Sequence, residues 1–402
     1  MLRIVSAVRD ANFLRRDRII AYGIILLIDN ILILSYNIFT TYYSGTHYTA
    51  LFPADFLVFY VAGGQADAHL APLIYNISES FKAQAAVIGV PLSHGPQYFF
   101  FYPPVFILLC AVLAVFPYPV AFCIWNAATL SFLVVALRVV TRDWMVVFAL
   151  LSFPALLDTV QLGQNALLTA ALFGVGTYLA DSRPLRAGGV LGMLCYKPHY
   201  FLLVPTALAA GRRWYSLGAL AVTVTGLVSA SILVYGWETW RAFFAFAPFV
   251  AKHSFDGTFG YWAYASWYSN IRLAGGPPWL ALFVQCLAVA AAEAVTAVVW
   301  YRGSRLAVRG ATLAAATLVA APVMVSYDLS LAVVAVAWIY WDSRRTGPLP
   351  WEKCVLGVDW ILALFGRNLG EKTHLPLLPL IGVSLLVLAL RRCRAVDQSS
   401  HS

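Results

Sequence analysis

The residue best suited to chemistry in this chain is Asp55, within Pro-Ala-Asp-Phe-Leu-Val-Phe-Tyr at 53–60. It follows the first long apolar run and has aromatic neighbours. A carboxylate at the edge of a membrane costs free energy unless it is solvated, paired or used. As a general base it can take a proton from a hydroxyl group as that group attacks. The alternative is a helix N-cap, because Asp directly before an apolar helix commonly caps it. The pattern alone leaves both interpretations open.

A second polar group interrupts the apolar run 186–210, as Tyr-Lys-Pro-His-Tyr at 196–200. A lysine at membrane depth is costly, and the proline beside it removes a backbone hydrogen bond. Together they predict a broken helix that lines a polar cavity. Lys197 is then a candidate partner for a phosphate, with His199 in support. The alternatives are a lysine that extends to the membrane surface, or two short helices in place of one.

Two further polar groups lie between apolar runs, Gly-Gln-Asn at 163–165 and Ser-Tyr-Asp at 326–328. Gln164 and Asn165 can bind the hydroxyl groups of a sugar, or can cap the helix that follows. Tyr327 and Asp328 can bind a sugar, and the carboxylate can assist Asp55, or Asp328 can be a helix cap. For each group the sequence leaves the alternatives open.

Aromatic and basic residues complete the set of candidates. Tyr102 belongs to Tyr-Phe-Phe-Phe-Tyr-Pro-Pro at 98–104, which is either a wall of a substrate cavity or an aromatic belt at the membrane surface. Arg241 and Arg272 lie in an aromatic-rich segment. They can hold a phosphate or the anionic headgroups of lipids.

The composition indicates an integral membrane protein. Of the 402 residues, 61% are hydrophobic and 11% are charged, whereas about a quarter of a soluble chain is charged. The net charge of +9 is best explained by orientation, because arginine and lysine stay on the cytoplasmic side. We do not expect nucleic acid as a partner, since basic residues form no stripe with exposed aromatics.

Cofactor and metal motifs are not evident. The six cysteines have neither metal nor redox spacing, and there is no phosphate-binding glycine loop, dinucleotide pattern or zinc motif. We therefore predict no cofactor and no metal site. A divalent cation is compatible with the chemistry but is not required by it.

The apolar runs predict an all-α polytopic protein with about twelve transmembrane helices and one membrane domain over 1–402. Residues 1–18 and 392–402 are the expected cytoplasmic tails. The expected external loops are 40–97, with short interfacial helices at 54–69 and 78–88, and 236–277. The candidate spans are 19–39, 98–116, 119–138, 144–160, 164–180, 186–210, 214–235, 278–301, 306–325, 327–341, 352–366 and 374–391.

This count agrees with most of the arginine clusters. Two pairs, Arg138 with Arg142 and Arg183 with Arg186, would fall on the external side. The topology of 119–210 therefore stays open at this stage.

In this order the motifs resemble glycosyltransferase family 87, whose members have the C-type glycosyltransferase fold. The resemblance covers roughly residues 50–330. The actinobacterial mannosyltransferases of the family have a histidine in the region where this chain has Tyr327-Asp328. The resemblance rests on Ala54-Asp55-Phe56, Phe101-Tyr102-Pro103-Pro104, Gly163-Gln164-Asn165, Lys197-Pro198 and Tyr327-Asp328-Leu329.

The resemblance implies an inverting, membrane-embedded glycosyltransferase. Its donor would be a polyprenyl-phosphate sugar, commonly mannose, and its acceptor a hydroxyl group of a lipid or glycan. The implied site faces the periplasm from a bacterial plasma membrane, with Asp55 as the base and Lys197 in the Lys-Pro motif.

Two other functions remain as alternatives. One is a polymerase or ligase of lipid-linked glycans, which would use a diphosphate donor. The other is a transporter or flippase without catalysis, in which a sealed cavity would lie at the membrane midplane. A cavity that connects Asp55, Lys197 and Asp328 would favour the enzyme.

Overall fold

The computed structural model describes residues 9–11, 13–43, 54–89, 93, 97–258 and 260–399. Within these residues the fold is all-helical, which confirms the predicted class. The isolated bridge between Tyr264 and Val325 is the β pairing found there. Parts of the predicted tails (1–8 and 400–402) and of the predicted first loop (44–53) lie outside the described residues.

The α-helices are numbered in chain order. They are α1 (Arg16–Tyr43), α2 (Ala54–Asp67), α3 (Ile77–Ile88), α4 (Ile107–Ala114), α5 (Tyr118–Thr141), α6 (Trp144–Leu151), α7 (Pro154–Leu162), α8 (Ala166–Leu179), α9 (Pro184–Gly192), α10 (Pro198–Phe201), α11 (Leu203–Ala210), α12 (Trp214–Tyr235), α13 (Trp237–Phe255), α14 (Trp267–Leu273), α15 (Pro278–Tyr301), α16 (Leu306–Ala320), α17 (Ala332–Thr346), α18 (Glu352–Thr373) and α19 (Pro379–Ser399). Short 3₁₀ helices occur at Ala71–Tyr75, Pro104–Phe106, Met193–Tyr196, Tyr261–Ala263 and Ser326–Leu331.

By length and composition, four of the described helices can cross a membrane: α1, α5, α12 and α15. The pair α6 and α7 makes a fifth if it counts as one span, although the two helices are bent by 66° at their junction. Pro154 begins α7, and a proline at this position interrupts the backbone hydrogen bonds. The number of about twelve transmembrane helices is thus not confirmed.

One end of the molecule collects ion pairs from many helix ends, and we call it the basic end. Arg16, at the start of α1, lies 2.6 Å from Asp143, which precedes α6. Asp181, just after α8, binds both Arg213 before α12 and Arg309 in α16, each at 2.5 Å. These contacts bring the ends of distant segments together.

A buried network at the basic end joins the last helices. Arg392 of α19 binds Asp342 of α17 at 3.0 Å and Glu352 of α18 at 2.6 Å. Arg305, before α16, binds the same carboxylate oxygen of Asp342 at 2.9 Å. Buried charges are retained only where they are paired, so this network also holds the C-terminal helix in register.

The predicted span 186–210 is not one helix: as the Lys-Pro motif indicated, it is broken, here into α9, a 3₁₀ helix, α10 and α11. Its start follows Asp181 and its end precedes Arg213, which Asp181 binds, so both ends lie at the basic end. Lys197, in the middle, contacts Asn165 at the far end of α8, roughly 21 Å away for a helix of 14 residues. The segment enters the bundle and turns back, because the backbone leaves the helical conformation at Lys197 and Pro198 starts a new helix.

The predicted span at 98–116 is also shorter than expected. Residues 97–103 are not helical, and the apolar helix runs from Pro104 to Ala114. It packs directly on α2, since a Cβ atom at Gly63 would lie 2.2 Å from the carbonyl oxygen of Cys110. The predicted short helices at 54–69 and 78–88 are confirmed as α2 and α3.

The predicted second loop, 236–277, contains a long helix, α13, with Pro248 inside it. Its aromatic side chains pack on the aromatic run at 98–102: Phe249 and His253 contact Phe99, and Phe246 stacks on Phe101. Through these contacts α13 packs over the aromatic run at 98–102. A search for apolar runs did not find this helix, because charged residues lie near both of its ends and a proline lies inside it.

Candidate functional site

A cavity of about 370 Å³ lies at the end of the molecule opposite the basic end. Its walls come from α2, the aromatic run at 98–102, the turn at 196–199, the turn at 323–328 and α18. The predicted site residues that line it are Asp55, Tyr102, Gln164, Lys197, His199, Tyr327 and Asp328. Segments far apart in the chain therefore form one chemical environment.

Asp55 is the second residue of α2, and its carboxylate accepts a hydrogen bond from Nε2 of Gln164 at 3.1 Å. Burial raises its pKa from 3.8 to about 6, and the nearby charge of Asp328 acts in the same direction. The bond from Gln164 and the charge of Lys197 partly oppose this shift. The carboxylate thus points to a different segment of the chain, which the N-cap interpretation does not explain.

Gln164 is oriented by its own neighbours. Its Oε1 accepts hydrogen bonds from the hydroxyl of Tyr102 at 3.2 Å and from the backbone N–H of Asn165 at 3.1 Å. The amide nitrogen must then face Asp55, because the oxygen end is occupied. Tyr102, Gln164 and Asp55 form a chain of hydrogen bonds that fixes the carboxylate.

Gly163 allows this turn to approach α2. It is the C-terminal cap of α7 with a φ of +61°, a conformation that favours glycine. A Cβ atom there would lie 2.6 Å from Cβ of Phe56. Trp125 donates a hydrogen bond to the carbonyl oxygen of Gly163 at 2.8 Å and anchors the turn to α5.

Lys197 and Asp328 form a buried ion pair of 2.5 Å, with 4% of each side chain exposed. The ammonium group also donates to Oδ1 of Asn165 at 3.2 Å, and the rings of Tyr200 and Tyr327 lie near it. The other carboxylate oxygen of Asp328 accepts the N–H of Val325 at 3.3 Å. Lys197 does not reach to the membrane surface, and its charge is already balanced.

Asn165 occupies the N-cap position of α8, but its side chain makes no capping hydrogen bond. It instead accepts the bond from Lys197. His199 lines the cavity with its ring packed on Tyr200. The structure therefore does not support the cap interpretation of Asn165, and binding of a sugar stays a prediction.

Two predicted phosphate partners lie away from the cavity. Arg241 is exposed and pairs with Glu238 at 2.9 Å. Arg272 donates to the carbonyl oxygen of Gly276 at 2.8 Å and stacks on Tyr261. Their role in binding phosphate stays a prediction to which the cavity adds no support.

The sequence interpretation missed Arg367, which lines the cavity from α18. It lies one residue beyond the predicted span 352–366, so the available signal was an arginine at the external end of that run. Among the described residues, His, Cys, Asp and Glu side chains form no group of three that could hold a metal ion.

Comparison with known proteins gives one match. The family model for glycosyltransferase family 87 matches residues 100–326, which is more than half of the 402 residues. No curated protein and no solved structure matches the chain. The matched range includes Tyr102, Gln164 and Lys197, and it excludes Asp55, Asp328 and Arg367.

Proposed function

Since the chain belongs to glycosyltransferase family 87, we propose that it transfers a sugar from a polyprenyl-phosphate donor to a hydroxyl group of a lipid or glycan. The family makes it a glycosyltransferase, and its apolar helices indicate a membrane protein. The donor class and the acceptor are our proposal, and mannose is the sugar we expect.

The observation that carries the proposal is the state of Asp55. It faces a cavity, a neutral amide holds it, and its pKa is about 6. A base with a pKa near the working pH is ionised at pH 7 and still accepts a proton readily. We infer that Asp55 takes the proton of the acceptor hydroxyl as its oxygen attacks the anomeric carbon.

The reaction is then a single displacement. The new bond forms between the acceptor oxygen and the anomeric carbon as the bond from that carbon to the phosphate oxygen breaks. The electron pair leaves with the polyprenyl phosphate, and the proton goes to Asp55. Attack from the face opposite the leaving group inverts the configuration at the anomeric carbon.

The orientation follows from the distribution of charge. Arg142 is next to Asp143, and Arg183 follows Asp181, so the arginine pairs that disagreed with the predicted topology lie at the basic end. Positive residues stay in the cytoplasm, so we infer that the cavity faces the periplasm of a bacterial plasma membrane. We also propose the C-type glycosyltransferase fold, which the family resemblance implies and with which apolar helices below a cavity at one end are consistent.

The alternative functions fit these observations less well. A transporter needs a cavity near the midplane that is reached from both sides, whereas this cavity lies at one end. A polymerase or ligase of lipid-linked glycans differs in using a diphosphate donor, and a comparison of donors decides between the two.

The test is sugar transfer in membranes that contain the wild type, Asp55→Asn or Asp67→Asn, with radiolabelled polyprenyl-phosphate mannose as donor. Asparagine keeps the shape of Asp55 but cannot accept the proton, so we expect transfer to fall by about 10² to 10⁴-fold. Asp67 is an exposed aspartate on the same helix, and its variant should match the wild type.

Two results would overturn the proposal. If Asp55→Asn is as active as the wild type, another group is the base. If the wild type uses only polyprenyl-diphosphate donors, the protein belongs with the polymerases and ligases.

A further inference from the structure

An arginine on the cavity wall, Arg367, is in no direct ion pair within the part of the chain that the structure describes. Its charge acts on the carboxylate of Asp158 only from beyond ion-pair distance. Among the described residues it also has no hydrogen bond, and its guanidinium lies 4.7 Å from the ring centre of Trp262. Lys197 cannot act in the same way, because it is bound to Asp328 at 2.5 Å. Moving Lys197 to a phosphate would leave Asp328 buried and unpaired, which is costly.

We propose that Arg367 binds the phosphate group of the donor, an inference that rests on the polyprenyl-phosphate donor proposed above. A phosphodiester carries one negative charge on two oxygens, and the planar guanidinium can bind both oxygens at once. Stacking on an aromatic ring leaves the N–H edge of the guanidinium available for such a ligand.

The position of Arg367 suits a donor that enters from the membrane. Glu352, at the start of α18, is bound to Arg392 at the basic end, so Arg367, fifteen residues further along the helix, lies toward the opposite end of the molecule. Two exposed apolar side chains, Leu364 and Phe365, precede it and can contact a lipid chain. A polyprenyl chain along α18 would bring its phosphate to Arg367.

The surroundings connect Arg367 to the rest of the site. Trp262 belongs to the 3₁₀ helix Tyr261–Ala263, and the next residue, Tyr264, pairs with Val325. The backbone N–H of Val325 in turn binds Asp328. These contacts hold Arg367 on the cavity wall that also carries the ion pair of Lys197.

The reaction gives this arginine a second effect. The departing polyprenyl phosphate gains a negative charge as the bond to the anomeric carbon breaks. A cation placed at this phosphate stabilises the transition state more than the ground state. We therefore expect Arg367 to affect both donor binding and the rate of transfer.

The experiment measures transfer by the purified full chain with Arg367→Gln, Arg367→Lys and Lys372→Gln. Lys372 is an exposed cation on the same helix, so its variant controls for the loss of one charge. At saturating acceptor, Arg367→Gln should raise the KM for the donor about 10- to 100-fold and lower kcat, since charged hydrogen bonds to phosphate are strong. The KM for the acceptor should stay the same, and Arg367→Lys should recover part of the loss.

Inhibition by polyprenyl phosphate without sugar gives a second readout. It should weaken in Arg367→Gln to the same extent as donor binding, and Lys372→Gln should match the wild type. If Arg367→Gln transfers sugar with an unchanged donor KM and unchanged inhibition, the inference is wrong while the proposed function stands. If the wild type uses no polyprenyl-monophosphate donor, both are wrong.

Discussion

At the scale of single residues, the reactivity of Asp55 comes from what surrounds it. The same carboxylate in water would be a weak base, but burial raises its pKa to about 6. Gln164 holds it in place, and Tyr102 with the N–H of Asn165 fixes the direction of that amide. Its neighbours therefore make Asp55 both a stronger base and a precisely oriented one.

The pH dependence of transfer should show this pKa. Asp55 must be ionised to accept a proton, so kcat/KM should fall as the pH drops through about 6, rather than near 3.8 as for a solvated aspartate. The bond from Gln164 lowers this pKa, so Gln164→Leu should move the inflection to higher pH. The measurement is kcat/KM from pH 4.5 to 8. An inflection near 4 in the wild type would contradict a buried base.

At the scale of elements, two interruptions of helices build the site. The turn at 163–165 brings Gln164 to Asp55, and the break at 197–198 brings Lys197 to Asp328. Non-helical backbone inside a membrane protein is tolerated where other protein groups, or water in a cavity, form hydrogen bonds with its N–H and C=O groups. Both interruptions occur at the cavity, and their small or cyclic residues, Gly163 and Pro198, permit them.

The close approach at Gly163 predicts a selective loss of activity. Gly163→Ala adds a methyl group 2.6 Å from Cβ of Phe56, which must displace α2 and with it Asp55. A shift of about 1 Å at a reacting group can cost about 10²-fold in rate, and we expect a loss of this size. The readouts are transfer activity and thermal stability in detergent.

Gly89 provides the matched control for this change. It caps α3 with a φ of +76°, and no atom of the described residues lies within 4 Å of its missing Cβ. Gly89→Ala should therefore cost the same backbone strain, about 1 kcal/mol, but keep full transfer activity. If both variants lose activity equally, strain rather than displacement of α2 is the cause.

At the scale of the whole molecule, charge and chemistry occupy opposite ends. The arginine clusters meet at the basic end through Asp143, Asp181 and Asp342, and the cavity lies at the other end. The segment 184–210 begins and ends at the basic end. This arrangement removes the disagreement between the arginine pairs near 138–142 and 183–186 and the rule that positive residues stay inside.

Labelling of single cysteines can test this topology. In a chain without its six native cysteines, Ser182→Cys and Arg212→Cys should both resist an impermeant thiol reagent in intact cells. Both positions are exposed and flank the segment that turns back. Lys372→Cys, near the cavity, should react. Labelling of Ser182→Cys but not Arg212→Cys would mean that 184–210 crosses the membrane once.

Much of the helical plan could be predicted from the chain itself. Long apolar runs must form helices, because the backbone in a membrane can satisfy its hydrogen bonds only within the segment. The runs 214–235 and 278–301 accordingly match α12 and α15. Polar residues within apolar sequence are costly, so Asp55, Lys197 and Asp328 stood out, and the structure brings them to one cavity.

Only the tertiary structure decided which polar groups meet and which segments cross. Hydropathy measures the free-energy cost of placing a residue in lipid, but it does not report the path of the chain. A run that turns back at Lys197 therefore has the same hydropathy as one that crosses the membrane. The pairing of Lys197 with Asp328 and the stacking of Arg367 on Trp262 each depend on segments that are far apart in the chain. Local sequence determined the helices and the costly charges, and the folded contacts determined which of those charges remain available to a ligand.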